Sequence, residues 1–287
     1  MEPKPIIFIV GPTASGKSQL AIDIAKRLQG EIICADSRTV YKGLDISTAK
    51  PTHAEQDGVP HWGLDLVTPD QRFSAVDFKT YARGKIAEIQ SRGKLPIIVG
   101  GTGLYIDGLL FDYQFGPAAN QSLRDELEQL TVEQLQQRIT TVGIDMPENT
   151  KNKRYLIRAI EQGGVNTEKS KPMKGALVIG LNPPKEILHE RIEKRAQAML
   201  HNGAIAEAEW LFKKYGASAP AASAPFFKAY APHVLQGQSI EDCLSVDITL
   251  NKQLAKRQIA WFKRNQHIHW HSLAADAHNF VLSKITY

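Results

Sequence analysis

Short apolar runs alternate with longer segments of helical periodicity along most of this chain. The apolar runs, each as long as a buried strand, cover residues 6–10, 31–35, 96–99 and 176–181. Segments in which apolar residues recur at helical spacing cover residues 17–28, 75–91 and 184–200. Strands that alternate with helices are typical of βαβ units. The pattern therefore predicts an α/β fold with a mainly parallel sheet flanked by helices.

A polar segment interrupts this alternation in the middle of the chain. Residues 116–149 are rich in Gln and Glu, contain two helical stretches at 123–130 and 132–140, and include no β-rich run. We therefore expect a small helical insertion at 116–149 in a core formed by residues 1–115 and 150–287. Two segments rich in small residues, Pro and Lys are expected to be loops or mobile connectors, namely residues 163–175 and 216–225.

Length and composition are those of an ordinary globular protein. Of the 287 residues, 43% are hydrophobic and 23% are charged, which argues against disorder and against a fibrous architecture. No apolar stretch approaches the roughly 20 residues that span a bilayer, and the N-terminus lacks a leader-like pattern. Cys34 and Cys243 have no partner at metal-ligand spacing and are expected to be buried thiols. We expect a soluble, cytoplasmic, monomeric protein with no membrane partner.

Charge is distributed unevenly between the two halves of the chain. Residues 1–150 carry 15 Lys and Arg against 19 Asp and Glu, whereas residues 151–287 carry 20 against 11. The overall charge of +5 thus conceals a second half with a charge of +9. A basic surface is typical of proteins that bind polyanions, so the second half is the candidate polyanion-binding surface.

The first predicted strand leads into a glycine-rich segment that opens the first predicted helix. A strand, a loop of G-x-x-x-x-G-K-S spacing and a helix are the three elements of a P-loop. Backbone N–H groups and Lys17 would bind phosphates, and the Ser18 hydroxyl would ligate Mg²⁺. This predicts a P-loop NTPase-like fold, for which ATP or another nucleotide is the default ligand. The residues expected to bind the phosphates are Gly11, Pro12, Thr13, Ala14, Ser15, Gly16, Lys17 and Ser18.

Two further strands end in polar or glycine-rich segments. Asp36 follows the second predicted strand, and the turn Gly100–Gly103 follows the third. An open α/β sheet binds ligands at the carboxyl ends of its strands, so both segments are expected beside the phosphate loop. From position alone, Asp36 is a proton acceptor, a magnesium ligand or an ordinary loop or N-cap aspartate. Together the three strand ends predict one shared site.

Two helical segments in the basic half carry clusters of Lys and Arg. Arg154 and Arg158 lie four residues apart and share a helix face, and residues 252–264 contain five further basic side chains. Such clusters form either a solvated surface or a binding site for nucleic-acid phosphates, with Tyr155 and Trp261 available for stacking. Two clusters in the basic half favour nucleic-acid binding.

Three motifs resemble those of the tRNA dimethylallyltransferases. They read Gly-Pro-Thr-Ala-Ser-Gly-Lys-Ser at 11–18, Asp-Ser-Arg-Thr-Val-Tyr-Lys-Gly-Leu-Asp-Ile-Ser-Thr-Ala-Lys-Pro at 36–51 and Val-Gly-Gly-Thr-Gly-Leu-Tyr-Ile at 99–106. Their order and spacing match the family, and so does Ala-Lys-Arg-Gln-Ile-Ala-Trp-Phe at 255–262. The resemblance covers about residues 5–270, and a kinase would not share the second and third motifs.

The resemblance implies transfer of a dimethylallyl group from dimethylallyl diphosphate to the exocyclic amine of the adenosine next to the tRNA anticodon. The phosphate loop would hold an isoprenyl diphosphate, and no phosphoryl group would be transferred. By the same match, Asp36 is expected to be the general base on the amine, and Thr102 is expected to line the channel beside the base. Lys17 and Ser18, with Mg²⁺, would stabilise the departing diphosphate as the allylic bond breaks.

The resemblance also implies contacts with the anticodon stem-loop of tRNA, because a base in that loop must be splayed out to reach the pocket. Arg124 would make the insertion part of the RNA-binding surface, and a plain surface arginine is the alternative. The full set of residues expected to contact tRNA is Asp36, Ser37, Arg38, Thr39, Thr102, Arg124, Arg154, Arg158, Lys256 and Arg257.

The chain departs from the family pattern at three places. Thr39 stands where bacterial members usually have Gln, and Ser47 stands where they usually have Gly. The family segment Ala-Ile-Gly-Tyr followed by Arg or Lys is replaced by Pro-Phe-Phe-Lys-Ala-Tyr at 225–230, where Lys228 is the best match to the basic residue expected to bind diphosphate. Two other functions stay open: a P-loop small-molecule kinase, although residues 120–140 lack a convincing arginine-rich lid, and a non-catalytic RNA-binding relative.

Overall fold

The structure of this protein is a computed structural model that describes residues 5–116, 120–163 and 171–285. Residues 164–170 of the loop expected at 163–175 therefore lie outside the described residues. The strands in these ranges are β1 (Ile6–Val10), β2 (Gly30–Cys34), β3 (His61–Trp62), β4 (Leu95–Gly100), β5 (Ala176–Leu181) and β6 (Ile268–His271). The α-helices are α1 (Lys17–Leu28), α2 (His53–Gln56), α3 (Ala75–Ser91), α4 (Gly103–Leu110), α5 (Gln121–Gln129), α6 (Val132–Val142), α7 (Lys153–Gln162), α8 (Lys185–His201), α9 (Ala204–Tyr215), α10 (Pro225–Gln236), α11 (Ile240–Phe262) and α12 (Ala274–Lys284). Among these helices, none combines the length and the apolar character needed to cross a membrane.

The chain divides into two compact units. The first comprises Met1–Leu110 and Pro172–Tyr287, and the second comprises Phe111–Lys171. The second unit is longer than the expected insertion at 116–149, because it also contains α7 with Arg154 and Arg158. The predicted boundary at residue 149 follows the end of the Gln- and Glu-rich composition, and α7 lies beyond that point.

The first unit is built on one parallel sheet. Its strand order is β3-β2-β4-β1-β5-β6, and every neighbouring pair is parallel. The α/β fold expected from the alternating pattern is confirmed, and the predicted strands and helices agree with β1, β2, β4, β5, α1, α3 and α8 to within one residue at each end. Parallel strands buried on both faces are continuous apolar runs, which is why the sequence identified them.

A core cluster covers one face of this sheet. Ile7 and Ile9 of β1 pack there with Leu20 and Ile24 of α1 and with Val281 of α12. All five are at most 1% exposed, and each such side chain stabilises the fold by about 1.5–3 kcal/mol. The residues that alternate with them along the strands point to the opposite face.

The register of the strands brings three chain segments to one edge of the sheet. Val10 pairs with Gly100 across β1 and β4, and Cys34 pairs with Val99 across β2 and β4. Strands β1, β4 and β2 therefore end at the same level. The segments that follow them, which are the phosphate loop, the Gly100–Gly103 turn and the Asp36 segment, start side by side.

The described residues of the second unit form a three-helix cluster. Leu127 of α5, Leu135 and Ile139 of α6, and Leu156 and Ile157 of α7 are buried together. Side chains that cap α5, α6 and α7 accept hydrogen bonds from the first turn of each helix, and these caps are Asn120, Thr131 and Asn152. The helical character predicted for residues 123–130 and 132–140 is confirmed.

The segment 216–225, predicted to be a loop or connector, contains a short 3₁₀ turn and leads into a helix that explains a departure from the family pattern. Residues Pro220–Ser223 form a 3₁₀ turn, and α10 begins at Pro225, where the fixed φ of proline suits the first helical turn. Phe226, Phe227 and Tyr230 of α10 are buried and pack as aromatic pairs. The unusual residues at 225–230 therefore form part of a hydrophobic core.

Candidate active site at the strand ends

The phosphate loop connects β1 to α1 by a tightly folded path. Gly11 has φ 152°, and a Cβ atom at this position would lie 2.5 Å from the backbone oxygen of Leu181. A side chain is therefore excluded at Gly11. Lys17 folds back over the loop and donates from Nζ to the backbone oxygen of Pro12 at 3.1 Å. Gly16 provides no side-chain cap for α1, so the first N–H groups of the helix are left for a ligand.

The Lys17 ammonium lies in an environment that disfavours its charge. Burial lowers the pKa of Lys17 to about 8, although the carboxylate of Asp36 opposes this shift. The guanidinium of Arg195 lowers the pKa further. An anionic ligand would relieve the repulsion between these two cations, so the loop is prepared for phosphate.

Two arginines of α8, Arg191 and Arg195, reach the phosphate loop, and the sequence analysis missed both. Arg191 donates from Nη1 to the backbone oxygen of Ser15 at 3.4 Å, and Arg195 donates from Nη1 to Thr13 Oγ1 at 3.1 Å. Their spacing of four residues on the helix after a core strand was a signal for a shared face. It was overlooked because β5 carries no recognisable motif at its end.

Asp36 is held in a hydrogen-bonded turn beside the Gly100–Gly103 segment. Its Oδ1 accepts a hydrogen bond of 2.8 Å from the backbone N–H of Arg38. Thr102 Oγ1 accepts from the backbone N–H of Ser37 at 3.0 Å, and the backbone N–H of Thr102 donates to Ala35 O at 3.3 Å. A Cβ atom at Gly100 would lie 2.0 Å from Ala35 O, so only glycine permits this approach.

Gln258 of α11 joins two of the three strand-end segments. Its Oε1 accepts from the backbone N–H of Thr13 at 2.8 Å, and its Nε2 donates to the backbone oxygen of Gly101 at 3.0 Å. Trp261, one turn later, packs against Gly103 and donates from Nε1 to Asp107 Oδ2 at 2.8 Å. The basic helix is thus fixed directly to the candidate site.

Glu207 of α9 organises the loop that follows the Asp36 segment. Its Oε1 accepts from the backbone N–H groups of Asp45 and Ile46 at 2.9 and 2.8 Å. Its Oε2 accepts from the N–H and the hydroxyl of Ser47 at 2.9 and 2.6 Å. Serine at position 47, where the family usually has glycine, therefore contributes an additional hydrogen bond to this turn.

The remaining candidate residues, three that follow β2 and one on α10, differ in exposure. Ser37 and Arg38 are half-buried, and Arg38 donates from Nη1 to Ser223 Oγ at 2.8 Å. Thr39 is only 6% exposed, so its side chain does not lie on the accessible surface. Lys228 is exposed on α10, and its side chain makes no hydrogen bond or ion pair within the described ranges. Their expected roles toward tRNA and diphosphate stay predictions.

The basic residues expected to contact tRNA lie on both units. Lys256 and Arg257 are exposed on α11 of the first unit, and Arg154 is exposed on α7 of the second. Arg124 forms a bidentate pair with the buried carboxylate of Glu161, with both distances 2.8 Å, and Arg158 donates to the same carboxylate at 3.2 Å. Part of the hydrogen-bonding capacity of Arg124 and Arg158 is therefore used inside the second unit.

The oxygen atoms near the phosphate loop fit a sparsely ligated magnesium ion. Ser18 is exposed in the first turn of α1, and Asp36 is half-buried and close enough to Lys17 to affect its pKa. Within the described residues there is no group of three or more His, Cys, Asp or Glu that would form a protein cage for a metal. Magnesium typically takes one or two protein oxygens plus substrate phosphates and water, which these two residues can provide.

Comparison with known protein families gives two matches. The family model for IPP transferase matches residues 39–265, and that for isopentenyl transferase matches residues 4–65. The chain is also similar to the tRNA dimethylallyltransferase of Bacillus cereus strain B4264, with 38% identity over 281 residues that cover 92% of this chain and 89% of that protein. The tRNA dimethylallyltransferase of Staphylococcus haemolyticus is 37% identical over 304 residues, which cover 98% of this chain and 90% of that protein.

Solved structures are similar over the same extent. The tRNA isopentenylpyrophosphate transferase of Bacillus halodurans has a TM-score of 0.76 and 32% identity, covering 98% of this chain and 97% of that one. A eukaryotic dimethylallyltransferase acting on tRNA has a TM-score of 0.77 and 26% identity, and the match covers 93% of this chain and 73% of that one. The fold described here is therefore shared with transferases that act on tRNA.

Proposed function

This chain belongs to the IPP transferase family, and we propose that it transfers a dimethylallyl group from dimethylallyl diphosphate to the exocyclic amine of the adenosine next to the tRNA anticodon. It is a tRNA-modifying prenyltransferase. The observation that carries the finer assignment is the position of Asp36, whose carboxylate acts electrostatically on both Lys17 and Arg195. A carboxylate that can accept a proton from the amine therefore lies near cations that can stabilise the departing diphosphate.

The proposed reaction is a displacement at the allylic carbon. The bond between this carbon and the diphosphate oxygen breaks, and its electron pair leaves with the diphosphate. A bond forms between the carbon and the adenine nitrogen, which loses a proton to Asp36. Lys17, Arg195 and the N–H groups at the start of α1 stabilise the negative charge that develops on the leaving group. Asp36 is oriented by the N–H of Arg38.

Magnesium fits this assignment through the Ser18 hydroxyl, with Asp36 as the alternative oxygen ligand. When bound, the ion would neutralise charge on the diphosphate oxygens. The residues of the chain supply the remaining cations, and Lys17 and Arg195 lie on two different elements of the site.

The proposed RNA partner is the anticodon stem-loop of tRNA, bound by a chain that acts as a monomer in the cytoplasm. Lys256 and Arg257 support this because they are exposed on α11, the helix that Gln258 fixes to the phosphate loop. Phosphate contacts along this helix would hold the loop while the target base is splayed into the site.

Replacing Asp36 by Asn tests the proposed role of the carboxylate. The amide cannot accept the proton, so we expect the single-turnover rate of transfer from labelled dimethylallyl diphosphate to fall by about 10²- to 10⁴-fold. Binding of tRNA and of inorganic pyrophosphate should change by less than about threefold, because the amide has nearly the same shape. Full transfer by the Asp36→Asn variant would overturn the assignment. Asp70→Asn, an exposed substitution of the same kind, is the matched control.

A further inference from the structure

A buried carboxylate on α11 takes no part in the mechanism described above. Asp247 is 0% exposed. Its Oδ1 accepts a hydrogen bond of 2.8 Å from Asn251 Nδ2, whereas its Oδ2 has no hydrogen-bond partner in the described part of the chain. Burial of a carboxylate with an unsatisfied oxygen costs free energy, so its surroundings deserve an explanation.

A small cavity of about 10 Å³ separates Asp247 from the phosphate loop. Its polar lining consists of Thr13, Arg195, Asp247 and Asn251, and its remaining lining is apolar. This volume is near the lower limit for holding one water molecule, for which the lining offers four polar residues. The cavity therefore provides a polar connection between the carboxylate and a residue of the phosphate loop.

The charged and titratable groups that face Asp247 come from two neighbouring helices. On α8, Arg195 interacts electrostatically with Asp247 and donates to Thr13 Oγ1 at 3.1 Å. On α10, Tyr230 has a buried hydroxyl without a hydrogen-bond partner in the described residues, and the charge of Asp247 helps to raise its pKa. Arg195 is thus the single cation between Asp247 and the candidate diphosphate site among these facing groups.

A buried anion at this position has a predictable effect on a phosphate ligand. Asp247 and a bound diphosphate would share the guanidinium of Arg195, and their like charges would repel each other through a medium of low dielectric constant. The alternative is that Asp247 only balances the charge of Arg195 and keeps that side chain in place. In that case removal of the carboxylate would weaken diphosphate binding rather than strengthen it.

We propose that the Asp247 carboxylate opposes the Arg195 guanidinium and lowers the affinity of the phosphate loop for diphosphate, so that Asp247 is a positioning residue that favours product release. This inference rests on the proposed function, because it takes the ligand of the loop to be a diphosphate. It assigns a role to a residue outside the motifs that define the strand-end site.

The protonation state of Asp247 gives the proposal a second readout. Burial raises the pKa of Asp247 to about 6, while Arg195 and Asn251 oppose the shift. The carboxyl is therefore charged at pH 8 and mostly neutral at pH 5. Its effect on diphosphate binding should be present at the higher pH and disappear at the lower one.

The test compares Asp247→Asn with the wild-type chain in calorimetric titrations with inorganic pyrophosphate and Mg²⁺. At pH 8 we expect the variant to bind pyrophosphate roughly five- to tenfold more tightly, as expected for one charge acting across a protein interior. At pH 5 the two affinities should converge. Titration of pyrophosphate itself is common to both proteins and cancels in their ratio. Asp23→Asn, an exposed change on α1, should have no effect at either pH.

Two results would contradict the proposal in different ways. Equal or weaker pyrophosphate binding by Asp247→Asn at pH 8 would overturn the inference and leave the proposed function intact. Absence of pyrophosphate binding by the wild-type chain would overturn the diphosphate site and the inference together. A steady-state assay adds an independent check, because the variant should have a lower KM for dimethylallyl diphosphate without a higher kcat.

Discussion

At the scale of single residues, the candidate site concentrates charge in places where burial opposes it. Lys17 and Arg195 both have pKa values lowered by burial, and both interact with Asp36. The carboxylate of Glu207 accepts four hydrogen bonds, which satisfy both of its oxygens. In the described part of the chain, Asn251 is the one hydrogen-bond donor to the Asp247 carboxylate. The two cations at the phosphate loop are therefore placed to bind an anion, whereas burial of Asp247 destabilises the fold.

The burial of Asp247 predicts how stability depends on pH. Its pKa rises from 3.8 to about 6, so the native carboxyl holds a proton that the unfolded one releases. Between these two pKa values the native state binds more protons than the unfolded state. The free energy of unfolding therefore falls by roughly 2–3 kcal/mol as the pH rises through this range. Asp247→Asn should lack this loss. In urea unfolding, the stability gain of the variant over wild type should be larger at pH 8 than at pH 5, and an equal gain at both would contradict the prediction.

At the scale of elements, the site depends on how strands and helices end. Strands β1, β4 and β2 end at the same level. Gln258 and Trp261 of α11 contact the segments that follow β1 and β4. The basic helix and the phosphate loop are therefore coupled by a direct contact rather than by charge alone.

Gln258→Leu tests this coupling. Loss of the side-chain amide leaves Thr13 N–H and Gly101 O without their partners, which typically costs about 1–3 kcal/mol. We expect kcat/KM for dimethylallyl diphosphate to fall by roughly tenfold. Gln253→Leu, an exposed change on the same helix, should leave it unchanged. If both variants behaved alike, the amide bridge would have no part in forming the site.

The sequence predicted most of this arrangement because buried strands and the phosphate loop have strong local patterns. Asp36 and the Gly100–Gly103 turn were placed at one edge by the rule that parallel strands bind ligands at their carboxyl ends. Arg195, Glu207 and Gln258 were not predicted, because their contacts join residues more than 150 positions apart in sequence. Helical periodicity places such side chains on a face but does not identify what the face contacts.

At the scale of the whole molecule, the uneven charge of the chain matches a polyanionic partner. The second half carries 20 basic against 11 acidic residues, and Lys256 and Arg257 are exposed on α11. Backbone phosphates of tRNA are the expected contacts of such side chains, because neutralising them releases counterions.

Salt dependence provides the test of this assignment. Lys256→Ala and Arg257→Ala should each weaken tRNA binding and reduce the slope of log Kd against log salt concentration by about one. Lys94→Ala should leave the slope unchanged, because Lys94 precedes β4 at the opposite edge of the sheet. An unchanged slope for both α11 variants would place the tRNA elsewhere on the protein.

The most direct test of the central claim is mass spectrometry of tRNA nucleosides after incubation of the protein with unmodified tRNA, dimethylallyl diphosphate and Mg²⁺. We predict that the adenosine next to the anticodon gains one dimethylallyl group and that one diphosphate is released for each group transferred. A parallel reaction with ATP in place of the prenyl donor should leave the tRNA unmodified and ATP intact. Unmodified tRNA in the first reaction, together with phosphoryl transfer from ATP in the second, would contradict prenyl transfer and favour a kinase.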